Sequence, residues 1–343
     1  MVAVSVLDLA QVNQGSDVRT ALQRSIATAQ HVERLGFHRF WLAEHHGMPG
    51  IASAATAVVM SQVLAATEHI RVGAGGIMLP NHSPLVIAEQ FGTLEALYPG
   101  RVDLGLGRAP GSDPLTARAL RRDAVQAAER FPDDVQELLM YFSGVKGPIR
   151  AIPGEGANVP VWILGSSTFG ARLAAKLGLP YAFASHFAPA MLNEAIEQYR
   201  QRFMPAPDGE ASRLMLAINV FAADTVEDAK RLSTSTQQAF LALRRGQPVT
   251  LPPPVDRVTL SLQERAVLSQ VLTCTAVGDP ETVRTQLQRF AEQTGADELI
   301  VVSQIYDPDA RLRSFELLAE AVADLGWLNA THVPNPQLRQ DSA

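Results

Sequence analysis

Short apolar runs alternate with longer segments of helical period along most of the chain. The runs are residues 2–9 (VAVSVLDL), 39–44 (RFWLAE), 70–79 (IRVGAGGIML), 101–108 (RVDLGLGR), 160–165 (PVWILG), 180–187 (PYAFASHF), 213–222 (RLMLAINVFA) and 298–305 (ELIVVSQI). Most are apolar on both alternating faces, the pattern of parallel strands covered on both sides. Between them, Val18, Leu22, Ile26, Ala29 and Val32 form one apolar helical face, with Ser16 as the expected N-cap. Ser83-Pro84, Asp113-Pro114 and Asp279-Pro280 each set a capping residue before a proline suited to a first helical turn, and Thr225 with Asp228 suggests a capping box.

Eight strand–helix units predict an α/β protein, a (β/α)8 TIM barrel with insertions. A doubly wound open sheet is the alternative, because the pattern does not show whether the sheet closes. One domain is expected over residues 1–330, followed by a tail at 331–343. Two excursions interrupt the repeat. One is the glycine- and proline-containing stretch 143–159; the other is 244–278, where RRGQPVTLPPPV cannot be regular structure because consecutive prolines remove backbone donors. The second is a candidate lid over the catalytic face, or a plain solvent loop.

Composition narrows the class. The 343 residues are 47% hydrophobic with a formal charge of −6, which argues against nucleic acid or an anionic membrane as the main partner. No apolar run is long enough to span a bilayer, and the N-terminus does not read as a signal peptide. Cys274 is the only cysteine, which leaves no internal disulfide or cysteine-based metal site and fits a reducing, cytoplasmic setting.

GLGRAPG, residues 105–111, falls short of a dinucleotide fingerprint because Pro110 stands where the third glycine belongs. GxxxxGK[ST], GxSxG and HExxH are absent. Two features could hold an anion: the turn Gly165-Ser166-Ser167-Thr168, opening a helix with free N–H groups, and Arg108 at the end of the neighbouring strand. A serine N-cap beside a surface arginine is the other reading. The glycines of GAGG, 73–76, suit close approach of a flat ligand, an unusual peptide geometry, or a simple kink. Glu44, His45 and His46 end the second strand. Adjacent strand residues point to opposite sides and no third ligand is evident from spacing, so no metal site is expected. A polar cluster at the catalytic rim remains, with His45 either a proton-transfer group or a filler of a polar gap.

Together the segments SVLDLA (5–10), FWLAEHH (40–46), RVGAGGIMLPNHSP (71–84), EQFGTLEALYPGRVDLGLGRAPG (89–111), LGSSTFGARLAAKLGLPYAFASHF (164–187) and VGDPETV (277–283) resemble the bacterial luciferase-like, flavin-dependent monooxygenase family. The resemblance runs from residue 5 to about residue 325. It implies Glu44 and His45 as catalytic residues, a cis peptide at Gly75-Gly76 beneath the cofactor, and Arg108, Ser166 and Ser167 at its phosphate. It implies FMN, arriving reduced from a separate flavin reductase, with O2 and a small organic substrate, in a homodimer. His82, His186 and Phe187 are candidate substrate contacts. An F420-dependent oxidoreductase on the same barrel and a flavin-binding protein without turnover are the alternatives. Gly107 and Ser166 depart from the light-emitting members, which carry cysteine and glutamate there, and count against light emission.

Overall fold

The computed structural model describes residues 2–109, 114–120, 124–205 and 211–329. The tail, Pro110 and the Asp113 cap lie outside the described residues. The strands are β1 (Ala3–Asp8), β2 (Arg39–Leu42), β3 (Arg71–Met78), β4 (Val102–Gly107), β5 (Val161–Gly165), β6 (Tyr181–Phe183), β7 (Leu214–Ala222), β8 (Thr275–Gly278) and β9 (Glu298–Val302). The helices, in chain order, are α1 (Val18–Arg34), α2 (Thr56–Ala66), α3 (Pro84–Leu97), α4 (Pro114–Ala119), α5 (Ala124–Phe142), α6 (Thr168–Leu177), α7 (Leu192–Arg202), α8 (Val226–Arg244), α9 (Leu262–Val271), α10 (Pro280–Thr294) and α11 (Pro308–Val322).

All strand pairings between named strands are parallel, and the ring β1-β2-β3-β4-β5-β6-β7-β9 closes through β9 on β1. The chain is an eight-stranded (β/α)8 barrel, and the open-sheet alternative falls. All eight apolar runs supply barrel strands. β8 is a ninth, unanticipated from the pattern. It pairs with Asn219–Ala222 of β7, beyond the Leu214–Leu216 stretch that the three-residue β6 occupies.

The two-sided burial behind the strand prediction is explicit in the core. Phe40 and Leu42 of β2, Leu214, Leu216, Ile218 and Val220 of β7, and Leu299 and Val301 of β9 face the helices. The alternate residues Trp41, Met215, Ala217, Ile300 and Val302 fill the barrel interior with Leu7, Ala43, Trp162 and Ala182.

Helix ends follow local chemistry. Asp17, not Ser16, caps α1, its side chain accepting from Thr20 N; an ionised carboxylate at that position also complements the helix dipole. Thr225 and Asp279 cap α8 and α10, whereas Ser83 makes no side-chain cap bond. Residues 143–159 hold neither helix nor strand. They pack so closely on α3 that a Cβ on Gly92 would lie 2.3 Å from the Gly154 Cα. The proline-rich stretch is irregular as expected, but α9 and β8 follow it within 244–278. It is fastened to the loop after β1 and to α8. Leu251 N donates to Val12 O at 2.9 Å, Gln14 N to Leu251 O at 2.8 Å, and Val255 N to Thr234 Oγ1 at 2.9 Å.

Candidate active site

Glu44, His45 and His46 follow directly on β2, at the C-terminal end of the barrel where strand-to-helix loops converge. Glu44 is 1% exposed. Its Oε1 accepts from His46 Nε2 at 2.7 Å and from His82 Nε2 at 2.8 Å, and its Oε2 accepts from Met78 N at 3.1 Å. Burial pushes this carboxyl up. The hydrogen bond and charge of His82, then His46 and the Met78 amide, outweigh it and leave the group below its ordinary range.

His82 corrects one expectation. Sequence spacing showed no third partner for Glu44 and His46, yet the loop after β3 brings one, and the three ligand atoms lie within 4.8 Å of one another. Their separations, 2.7 and 2.8 Å, are those of N–H···O hydrogen bonds. His82 thus ties the ends of β2 and β3 together through Glu44.

His45 stands apart. Its Nδ1 is buried without a partner, and burial is the main cause holding its pKa below the ordinary histidine value. Glu44 partly offsets this and His46 adds to it. His186, in the loop after β6, also has a buried, partnerless Nδ1. Burial first, and His45 second, push its pKa down to about 3. The His186 carbonyl accepts from Asn219 Nδ2 at 2.7 Å, and the ring stands edge-on to the half-exposed Phe187 with centroids 4.7 Å apart.

The peptide between Gly75 and Gly76 is cis, where the β3–β4 register shifts between Ala74 and Ile77. Packing alone explains the glycines. A Cβ on Gly73 would lie 2.4 Å from Trp41 Nε1, one on Gly75 2.8 Å from Leu7 Cδ1, and one on Gly76 2.7 Å from the Gly105 carbonyl.

Arg108 and the serine turn come together as the sequence suggested. Arg108 leaves the end of β4 and lays its guanidinium over Phe169, in the first turn of α6, with Cζ 3.9 Å from the ring centroid. Ser167 is the N-cap of α6 yet makes no side-chain cap bond, and Ser166 is exposed. Tyr181 Oη donates to Ser167 O at 3.1 Å and steadies the turn. Among the described residues no carboxylate pairs with Arg108. A cation with no counter-ion among the described residues thus sits beside a helix N-terminus without a side-chain cap bond, an arrangement suited to a phosphate. Phe169 was missed in the sequence; an aromatic in the first turn after a Ser-Ser cap is the only signal that could have marked it.

Comparison with known proteins gives the family. Residues 2–298 match the luciferase-like monooxygenase family, and the chain belongs to it. A luciferase-like monooxygenase of Escherichia coli (strain K12) is 51% identical over 329 residues, covering 94% of this chain and 98% of the relative. Among solved structures, apo-MsnO8 is 36% identical with a TM-score of 0.84, covering 94% of this chain and 99% of that one. The oxygenating constituent of 3,6-diketocamphane monooxygenase from Pseudomonas putida, a type II Baeyer–Villiger monooxygenase in complex with FMN, shares the fold. Its TM-score is 0.72 at 19% identity, covering 98% and 100% of the two chains. Among the described residues no helix is long and apolar enough to cross a membrane.

Proposed function

We propose that the protein is a monooxygenase that uses reduced FMN and O2 to oxidise a small organic substrate, with the reduced flavin supplied by a separate reductase. The observation that carries this reading is Arg108, stacked on Phe169 beside the N-terminus of α6, which has no side-chain cap bond, and without a carboxylate partner among the described residues. FMN ends in a phosphate that such a site would hold, and riboflavin does not. Bound there, reduced FMN would supply the electrons that activate oxygen.

This chain's residues would do the rest. Arg108, Ser166, Ser167 and the first α6 amides would grip the phosphate. The Gly75-Gly76 segment would form the floor beneath the ring. Glu44, held by His46 and His82, would fix the ends of β2 and β3 against one another. His45, kept neutral by burial, would accept or return a proton at its ring nitrogen, and the fastened segment at 249–255 would limit entry of water. The family neighbour solved with FMN supports the choice of cofactor. A homodimer in the cytoplasm completes the proposal.

An F420-dependent hydride transfer on the same barrel is the competing chemistry. Anaerobic titration with reduced FMN and with reduced F420, followed by admission of oxygen, separates the two. The expected result is tight binding of FMN, weak binding of F420, and rapid oxygen-dependent oxidation of the bound flavin. Preference for F420, or indifference to oxygen after FMN binding, overturns the proposal.

A further inference from the structure

Asp8, Asp103 and Glu298 are fully buried carboxylates, and each is matched by an arginine: Arg311 for Asp8, and Arg39 for the other two. Glu44 is as deeply buried, yet among the described residues no lysine or arginine pairs with it. A buried carboxylate is ordinarily matched by a fixed cation or a metal ion. The partners here are two imidazoles, and both reach the same oxygen through Nε2, His46 at 2.7 Å and His82 at 2.8 Å. The other oxygen accepts from the Met78 amide at 3.1 Å, which orients the carboxylate from behind. One carboxylate oxygen and two imidazole nitrogens thus converge, all within 4.8 Å of one another.

Two imidazoles and a carboxylate favour a divalent first-row transition ion over magnesium or calcium, which take oxygen ligands. In a tetrahedral zinc site with bonds of about 2.0–2.2 Å, the ligand atoms stand roughly 3.3–3.6 Å apart. The two rings must therefore draw back from Glu44 by roughly half an ångström, each exchanging its Nε2 proton for the metal. Both are placed to do so. His46 lies in the loop after β2 with its side chain 18% exposed, and His82 ends the single 3-10 turn Leu79–Asn81 with its side chain 30% exposed. Glu44, held from behind, is the fixed member. The exposed edges of the two rings give an ion a route in from solvent, and three protein ligands leave a coordination position for water.

We propose that Glu44 Oε1, His46 Nε2 and His82 Nε2 form a zinc site that clasps the end of β2 to the loop after β3, one ion replacing the two shared protons. The third ligand, invisible in the spacing around Glu44, comes from the loop after β3. The site stands on these three side chains alone and does not depend on flavin binding.

The test is calorimetric titration of zinc into the full chain after treatment with a chelator, with cobalt(II) as the optical probe. One zinc per chain is expected, with a Kd below about 10 μM. Cobalt(II) should give the intense visible bands of a four- or five-coordinate site, which octahedral binding at the surface does not. Zinc should also raise the thermal midpoint of the chain, and magnesium should not. His82→Asn and His46→Asn each keep a side-chain donor for Glu44 and remove the imidazole ligand. Each should weaken zinc by at least about a hundredfold, the upper end of what losing a mere outer-shell partner costs. His69→Ala removes the exposed His69–Glu68 pair, the obvious adventitious site, and should leave the affinity unchanged. Weaker zinc binding than this in the wild-type chain overturns the proposal, as does an octahedral cobalt(II) spectrum. Wild-type affinity retained in a folded Asn variant, or lost in His69→Ala, also overturns it. Were the Asn variants not to fold, the cobalt(II) spectrum and the thermal shift of the wild-type chain would still decide the matter.

Discussion

The two ends of the barrel treat buried polar groups in opposite ways. At the N-terminal end, Arg39 donates to Asp103 Oδ2 at 2.6 Å and to Glu298 Oε1 at 2.9 Å. Arg71 and Trp41 Nε1 complete the shell of Asp103, at 2.7 and 3.2 Å. Arg213 and Ser5 complete that of Glu298, at 3.0 and 2.5 Å. Both carboxylates are fully buried and the network closes on itself. Burial alone would raise the Asp103 carboxyl, but Arg39 and Arg71 hold it below its ordinary range. At the C-terminal end, Glu44 is similarly satisfied, but His45 and His186 each keep a buried, unpartnered nitrogen, and Arg108 has no counter-ion among the described residues. Native structures rarely leave buried polar atoms unpaired without a reason. The closed carboxylate network holds the barrel together at one end, although Trp162 Nε1, under Arg39, is buried there without a partner; His45 and His186 are left open at the end of the proposed site.

The comparison can be broken by substitutions at either end. The largest effect is expected at His45. His45→Ala should keep its fold and bind reduced FMN within about tenfold of wild type, while turnover falls by roughly 10²–10⁴. Stopped-flow oxidation of the bound flavin reads this directly, and an unchanged rate would place His45 among structural residues. Next is Asp103→Ala, which leaves Arg71 without its carboxylate and Arg39 with Glu298 alone, and should cost about 3–5 kcal/mol in urea unfolding, with no selective effect on ligand affinity. A loss under about 1 kcal/mol would dissolve the contrast between the two ends.

Arg108→Ala should weaken FMN by about 1.5–3 kcal/mol and leave riboflavin unchanged, because only FMN carries the anion. Equal loss for both ligands would make the arginine structural. The smallest effect concerns acid stability. Burial lowers the His186 pKa from 6.5 to about 3, so between these values the unfolded chain binds the extra proton and stability falls as the pH drops. His45, also lowered, acts in the same direction. The urea midpoint should therefore decline as pH falls from 6.5 toward 4, and less steeply in His186→Phe. A parallel pH dependence in the two proteins would show that His186 does not carry this term.

Much of the architecture was legible in the chain because strands buried on two faces leave an unambiguous apolar signature. β7 and β9 are readable residue by residue as alternating helix-facing and interior-facing positions. β8 was not legible, because four residues after a proline-rich stretch carry no period. The cis peptide at Gly75-Gly76 was expected from the resemblance and is present. The glycines around it have a simpler cause than a ligand, namely Trp41, Leu7 and the β4 backbone crowding every Cβ direction.

Composition, patterning and motif order by themselves determined an α/β chain of eight strand–helix units that resembles the luciferase-like family, with a polar cluster after the second strand and an arginine–serine pair after the fourth and fifth; closure of the barrel they left open. They did so because these are local properties, written in residues a few positions apart. Only the tertiary structure decided which partners those residues take. Glu44 passes over His45 for His82, 38 positions away in sequence, and the His186 carbonyl takes the Asn219 side chain of β7, 33 positions away. Ring closure fixes such distances, and no periodicity encodes them, since the strands' alternation sets only which way each side chain points and not what it meets.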